Sequence, residues 1–142
     1  MKKSNGFSDA ERGAIQERAK ELAAESRLDK NKAQGENDVL EAIAKMSEPD
    51  QSIAKRLHVL IKQASPTLTP KTWYGFPAYA KNDKVVCFFQ YAGKFKTRYA
   101  TLGFSDAANL DEDNMWPVTF ALKKLTTIEE AKIVELVKKA VK

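Results

Sequence analysis

Histidine and cysteine occur once each, as His58 and Cys87, in a chain of 142 residues. A single cysteine excludes an intramolecular disulfide, which suits a reducing cytoplasm. One His and one Cys also fall short of a zinc site with ordinary ligand spacing. A Cys–His pair is the only route to a thiol nucleophile here. Cys87 lies mid-strand among Val and Phe, where a thiol is buried and its pKa raised. His58 sits on a predicted helix beside Arg56, away from the main apolar face. No Gly-x-Ser-x-Gly turn, Walker loop or Gly-x-Gly-x-x-Gly stretch appears, so neither a serine hydrolase nor a nucleotide site has a signature. No apolar run approaches a membrane span, and Met-Lys-Lys-Ser-Asn-Gly opens the chain without the apolar stretch of a secretory signal. These absences lead us to expect a cytoplasmic, non-enzymatic protein without a cofactor or a membrane partner.

What is present is a globular composition, 43% hydrophobic and 30% charged, long enough to bury a core without disulfides or metals. The net charge of +5 is unevenly placed. Lys71, Lys81, Lys84, Lys94, Lys96 and Arg98 face only Asp83 between Thr67 and Ala100, whereas Asp106, Asp111, Glu112 and Asp113 form an acidic loop. A basic surface attracts anions; it is equally what Lys-protected sheet edges look like.

The most distinctive stretch is Trp73-Tyr74-Gly75-Phe76-Pro77-Ala78-Tyr79. Gly75 permits backbone angles other residues resist, and Pro77 forbids helix at Phe76. The segment therefore predicts a sharp bend, as two short strands around a bulge. Its aromatics either fill a core or line a concave site.

Around it, Ser8-Asp9-Ala10-Glu11 has capping-box form and predicts a helix from Asp9 to about Arg27 with a thin stripe of Ile15, Ala19, Leu22 and Ala23. Leu28 to Gly35 is polar and reads as a loop, so residues 1–35 form a helical extension and 36–142 a single α+β domain. A short helix with Val39, Leu40, Ile43 and Met46 inward follows, and Ser47-Glu48-Pro49-Asp50 restarts a third. That helix carries Ile53, Leu57, Leu60, Ile61 and Ala64 and stops at Ser65-Pro66. Asn82-Asp83 is a turn signal, Lys84 to Tyr91 a central strand, and Lys94 to Leu102 alternates as its hairpin partner. Pro117 opens an edge strand through Val118, Phe120 and Leu122. Thr126 or Thr127 starts a last helix with a stripe of Ile128, Ala131, Val134, Leu136, Val137 and Ala140. The order implies an antiparallel sheet with N-terminal helices and a C-terminal helix packed on it.

Two constellations bear on function. Trp73, Tyr74, Phe76, Tyr79, Tyr99 and Trp116, near Lys96 and Arg98, predict an apolar pocket with directed polar groups for a small ligand or protein partner. Aromatics beside cations also describe single-strand nucleic-acid platforms, although no RNP-like motif is present and the modest charge argues against that role. Asp106, Asp111, Glu112 and Asp113 offer oxygen ligands to a hard cation without matching an EF-hand.

Ala64-Ser65-Pro66, the Trp73–Tyr79 segment, Val85-Val86-Cys87-Phe88-Phe89 and Lys96-Thr97-Arg98-Tyr99-Ala100-Thr101-Leu102-Gly103-Phe104 together resemble the YdhG-like domain family over about Asp50 to Ala140. The stretch from Phe7 to Arg12 is similar to an N-terminal extension of longer members. The resemblance implies an α+β fold with helices on an antiparallel sheet. Most members are of unknown function; some are labelled frataxin-like iron chaperones, which implies iron binding as an alternative role.

Overall fold

A computed structural model describes residues 9–142. Five strands run as a meander in the order β1-β2-β3-β4-β5, each antiparallel to the next: β1 Thr69–Trp73, β2 Phe76–Lys81, β3 Lys84–Gln90, β4 Ala100–Phe104 and β5 Thr119–Leu122. The helices are α1 Asp9–Ala44, α2 Asp50–Ala64, the short α3 Ala92–Phe95 and α4 Thr127–Ala140. This is the expected α+β class, with helices before and after an antiparallel sheet. No helix among the described residues is long and apolar enough to cross a membrane.

Tight turns set the meander. Tyr74-Gly75 joins β1 to β2 and Asn82-Asp83 joins β2 to β3, with positive φ at all four residues (51°, 82°, 52° and 65°). Positive φ at both central positions matches the right-handed twist of flanking strands. The bend expected in the aromatic segment is thus a two-residue hairpin. The bulge lies further on, between Tyr79 and Ala80, where Val86 is the extra residue opposite.

Strand alternation gives the sheet two distinct faces. Tyr79, Cys87, Phe89, Leu102, Phe104 and Leu122 point to one of them. There they form a core with Val39, Ile43 and Met46 of the α1 end, Ile53, Leu57 and Ile61 of α2, and Ile133 and Val137 of α4. A buried aliphatic or aromatic side chain of this kind contributes about 1.5–3 kcal/mol.

The helix expectations need four corrections. Leu28 to Gly35 is helix, continuous with α1, not a loop. Leu28, Lys30, Lys32, Ala33 and Gln34 are good helix formers and no turn pair stops the chain, and a Cβ on Gly35 would collide with the Pro70 carbonyl, so glycine serves close approach there. Ser47 does not cap α2 through its side chain; the Glu48 carboxylate accepts the Ser52 N–H at 2.7 Å instead. Lys94 to Tyr99 is not strand but the α3 turn and a loop, and β4 begins only at Ala100. On α4 the buried residues are Ile133, Val137 and Ala140, whereas Ile128 is 64% exposed. The Thr126–Glu129 capping box is present as expected, with Thr126 N–H donating to Glu129 at 2.8 Å. Ile15 is exposed; Ser8 and the side chain of Leu22 lie outside the described residues.

The chain forms two compact units, Met1–Ala33 and Gln34–Lys142. All the features below belong to the second.

Candidate functional site

The residues expected to share one pocket are divided among four places. Tyr79 is in the core, only 1% exposed. Its hydroxyl lies 2.8 Å from His58 Nδ1, and His58 Nε2 lies 2.8 Å from a Glu36 carboxylate oxygen that also accepts from Lys62 at 2.9 Å. A carboxylate only accepts, so Nε2 carries a proton and, in the neutral ring, Nδ1 accepts from Tyr79. The relay ties α1, α2 and β2 together, with His58 and Tyr79 buried and Glu36 and Lys62 carrying it to the surface. Desolvation alone would raise the Glu36 carboxyl, but the hydrogen bonds from His58 and Lys62 outweigh it and hold the carboxyl below its ordinary value. Burial moves the Tyr79 phenol the other way, upward. This removes Tyr79 from any ligand site. A two-residue match of helix and strand positions far apart in sequence made the relay invisible from either residue alone.

Trp73, Tyr74 and Phe76 form an aromatic cluster at the first hairpin. Trp73 packs edge-on against Phe76 and Phe88, at ring separations of 5.8 and 5.4 Å, and Phe76 reaches Phe95 at 5.6 Å. Phe76 is buried by these neighbours, Trp73 and Phe88 are half-buried, and Tyr74 is 73% exposed. Lys94 reaches over to donate to the Tyr74 carbonyl at 3.0 Å.

Lys96, Arg98 and Tyr99 lie at a different corner, where they line a cavity of about 800 Å³ between the start of α2, the α3 loop and the adjoining ends of β4 and β5. Asp50 builds this corner. It is buried at the start of α2 and accepts the N–H groups of Ala92 (3.3 Å) and Gly93 (2.9 Å), fixing the first turn of α3. Lys96 then ends that turn in the left-handed region, at φ 52°. This clamp is why the alternating Lys94–Tyr99 sequence is not a strand. The cavity has an apolar floor, including Ile53, Ala100 and Leu122, and Lys123 at its edge. Arg98 stacks on Tyr99, 5.2 Å from the ring centre.

Charge is unevenly committed in this cavity. Lys96, Arg98 and Lys123 have no ion-pair partner among the described residues. Both acidic residues in the lining are occupied: Asp50 by two backbone N–H groups, and Glu48 by the Ser52 N–H and hydroxyl. Hydrogen bonds from Ser52 hold the Glu48 carboxyl low. Lys123, Asp50 and Glu48 were not singled out in the sequence, although Asp50 carried a signal as an acidic residue in a first helical turn.

Trp116 stands apart, with Leu110, Phe120 and Leu136 in a smaller cleft of about 340 Å³ against α4. The acidic loop beside it does not assemble the expected iron site. Among the described residues no group of three or more His, Cys, Asp or Glu side chains could hold a metal ion. Glu112 instead pairs with Lys139 at 2.6 Å, and this bond lowers its pKa. Asp106 lines another cleft, beside Val86 and Ala140, while Asp111 and Asp113 are exposed. Cys87 is fully buried, and burial pushes its thiol up to about 12.

No protein-family model matches the chain, and no curated protein or solved structure matches it.

Proposed function

We propose that the protein is a non-enzymatic binding module for a small anionic ligand, held in the cavity lined by Lys96, Arg98, Tyr99 and Lys123. One observation carries the reading: three cations without ion-pair partners among the described residues line this cavity, while both neighbouring carboxylates already accept hydrogen bonds from the protein. Arg98 suits a carboxylate or phosphate because its planar guanidinium donates two parallel bonds. The apolar floor and the Tyr99 ring offer contact to an organic body. The aromatic and basic residues of this corner belong to the stretch that resembles the YdhG-like family, and the reading assigns that stretch a ligand of this class.

Calorimetric titration with citrate and with pyrophosphate tests it. Binding is expected for at least one of them, with about tenfold loss in Arg98→Ala, as for one charge-assisted hydrogen bond of about 1.4 kcal/mol. Arg98 is exposed, so the variant keeps its fold. No heat with either anion, or full affinity in the variant, overturns the assignment.

A further inference from the structure

The sheet face opposite the core has a composition that the fold does not use. Register places Lys71, Ala78, Phe88, Gly103 and Thr119 in one cross-strand row, and two residues along on the same face Trp73 pairs with Phe76, and Gln90 with Thr101 and Ala121. No member of either row is acidic. The core helices gather on the other face. Lys71, Thr119 and Ala121 are exposed here, and Trp73, Phe88, Gln90 and Thr101 are half-buried. Gly103 matters to this surface, because a Cβ there would collide with the Phe88 ring. Phe88 therefore reaches across the neighbouring strand over Gly103, with Trp73 edge-on beside it, and both rings stay half-exposed. Lys71 stands on the β1 edge of this face and Lys123 follows β5 at the other edge, whereas Lys94 lies in a cleft with Asp38 and Glu41.

We infer that this open face binds single-stranded nucleic acid, with bases stacked on Trp73 and Phe88 and phosphates on Lys71 and Lys123. The inference goes beyond the cavity reading; the two surfaces meet at Ala121 and Lys123, and only the sheet face carries Trp73, Phe88 and Lys71. Bases offer a π face to aromatic side chains whatever their sequence, and a cationic surround tracks the backbone. Charge decides between occupants. With lysines at both edges and no carboxylate in either row, the face complements a polyanion, whereas a second copy of the same face would set lysine against lysine. A duplex hides its bases in the stack, so it cannot use the aromatic part of the platform.

The full chain is titrated with a fluorescein-labelled oligouridylate of about ten nucleotides, the size of a single platform. Anisotropy should rise at low salt, and log affinity should fall against log salt with a slope of about −1.4, from roughly 0.7 per contact at two phosphates. Trp73→Ala should weaken binding about tenfold, as expected for one lost base stack. Lys71→Glu, at an exposed edge-strand position, keeps the test decisive if Trp73→Ala does not fold. It should weaken binding and flatten the salt slope. Arg98→Ala, which weakens the cavity's anion site about tenfold, should leave more than half of the oligonucleotide affinity. Loss in Arg98→Ala with none in Trp73→Ala or Lys71→Glu would assign the binding to the cavity and overturn this inference. No anisotropy change at low salt, equal affinity for a duplex, or a dimer by light scattering that Trp73→Ala dissolves would overturn it too.

Discussion

Replacing Tyr79 by Phe deletes one hydroxyl from a ring that is otherwise in place, and isolates what the buried relay contributes. The side chain is 1% exposed, so the phenylalanine ring fits the same space. What changes is His58 Nδ1, left without its partner at 2.8 Å in a residue that is 6% exposed. An unsatisfied buried acceptor costs about 1–3 kcal/mol, while burying a slightly more apolar ring returns a fraction of that. A net loss of about 1–2 kcal/mol is expected, or roughly 4 °C in Tm for each kcal/mol at this chain length. Urea denaturation measures it, with an unchanged slope showing that the unfolded state is the same. His58→Leu should cost more, about 2–3 kcal/mol, because it leaves the buried Tyr79 hydroxyl unpaired and takes from Glu36 one of its two donors, Lys62 remaining at 2.9 Å. The pH dependence carries a sign. The Glu36 carboxyl is held below 4.5 in the folded protein, so the unfolded chain binds a proton more readily. Its contribution is present above 4.5 and is lost as pH falls through the lower folded value. Glu36→Gln should flatten that acid limb. A Tyr79→Phe variant as stable as the parent, together with an acid limb that Glu36→Gln leaves unchanged, would refute the relay as a stabilising unit.

Three further outcomes follow from particular residues. Cys87, fully buried with its thiol raised to about 12, should resist a disulfide reagent in the native protein and react at the rate of unfolding; immediate labelling would contradict its placement. Gly103→Ala should destabilise the protein by about 1–3 kcal/mol and change the ring-current shifts of Trp73, since Phe88 must tilt off the strand. Thermal melts and proton spectra of the variant report both, and an unperturbed aromatic spectrum would contradict the close approach. A chain beginning at Gln34 should keep a single cooperative thermal transition, because the core, the relay and the cavity all lie in Gln34–Lys142; an unfolded product would show that Met1–Ala33 is needed for the fold.

Local chemistry was the readable part of the sequence. The Thr126–Glu129 box, the Asn82-Asp83 turn and the stop at Ser65-Pro66 are each decided by a few neighbouring residues, and each stands where the pattern puts it. The α+β order followed from them. Features set by distant partners were not readable. Lys94 to Tyr99 alternates like a strand, but Asp50 claims the Ala92 and Gly93 N–H groups and turns the chain into α3. Leu28 to Gly35 is polar enough for a loop, yet nothing in it breaks a helix except Gly35, which packs beside Pro70. The candidate site shows the same division. Aromatic and basic residues near Trp73 and Arg98 announced a surface, but not that register would separate them. Tyr79 was drawn into the core by His58, and Trp116 was carried to the α4 side of the sheet.

The most direct measurement of the binding account is the set of backbone amide shifts of the full chain during a pyrophosphate titration. Saturable shifts confined to Gly93, Lys96 to Ala100 and Ala121 to Lys123 are the predicted result, because these residues ring the cavity. Saturable shifts centred instead on Leu110, Trp116 and Leu136, or no saturable shift anywhere, would contradict it.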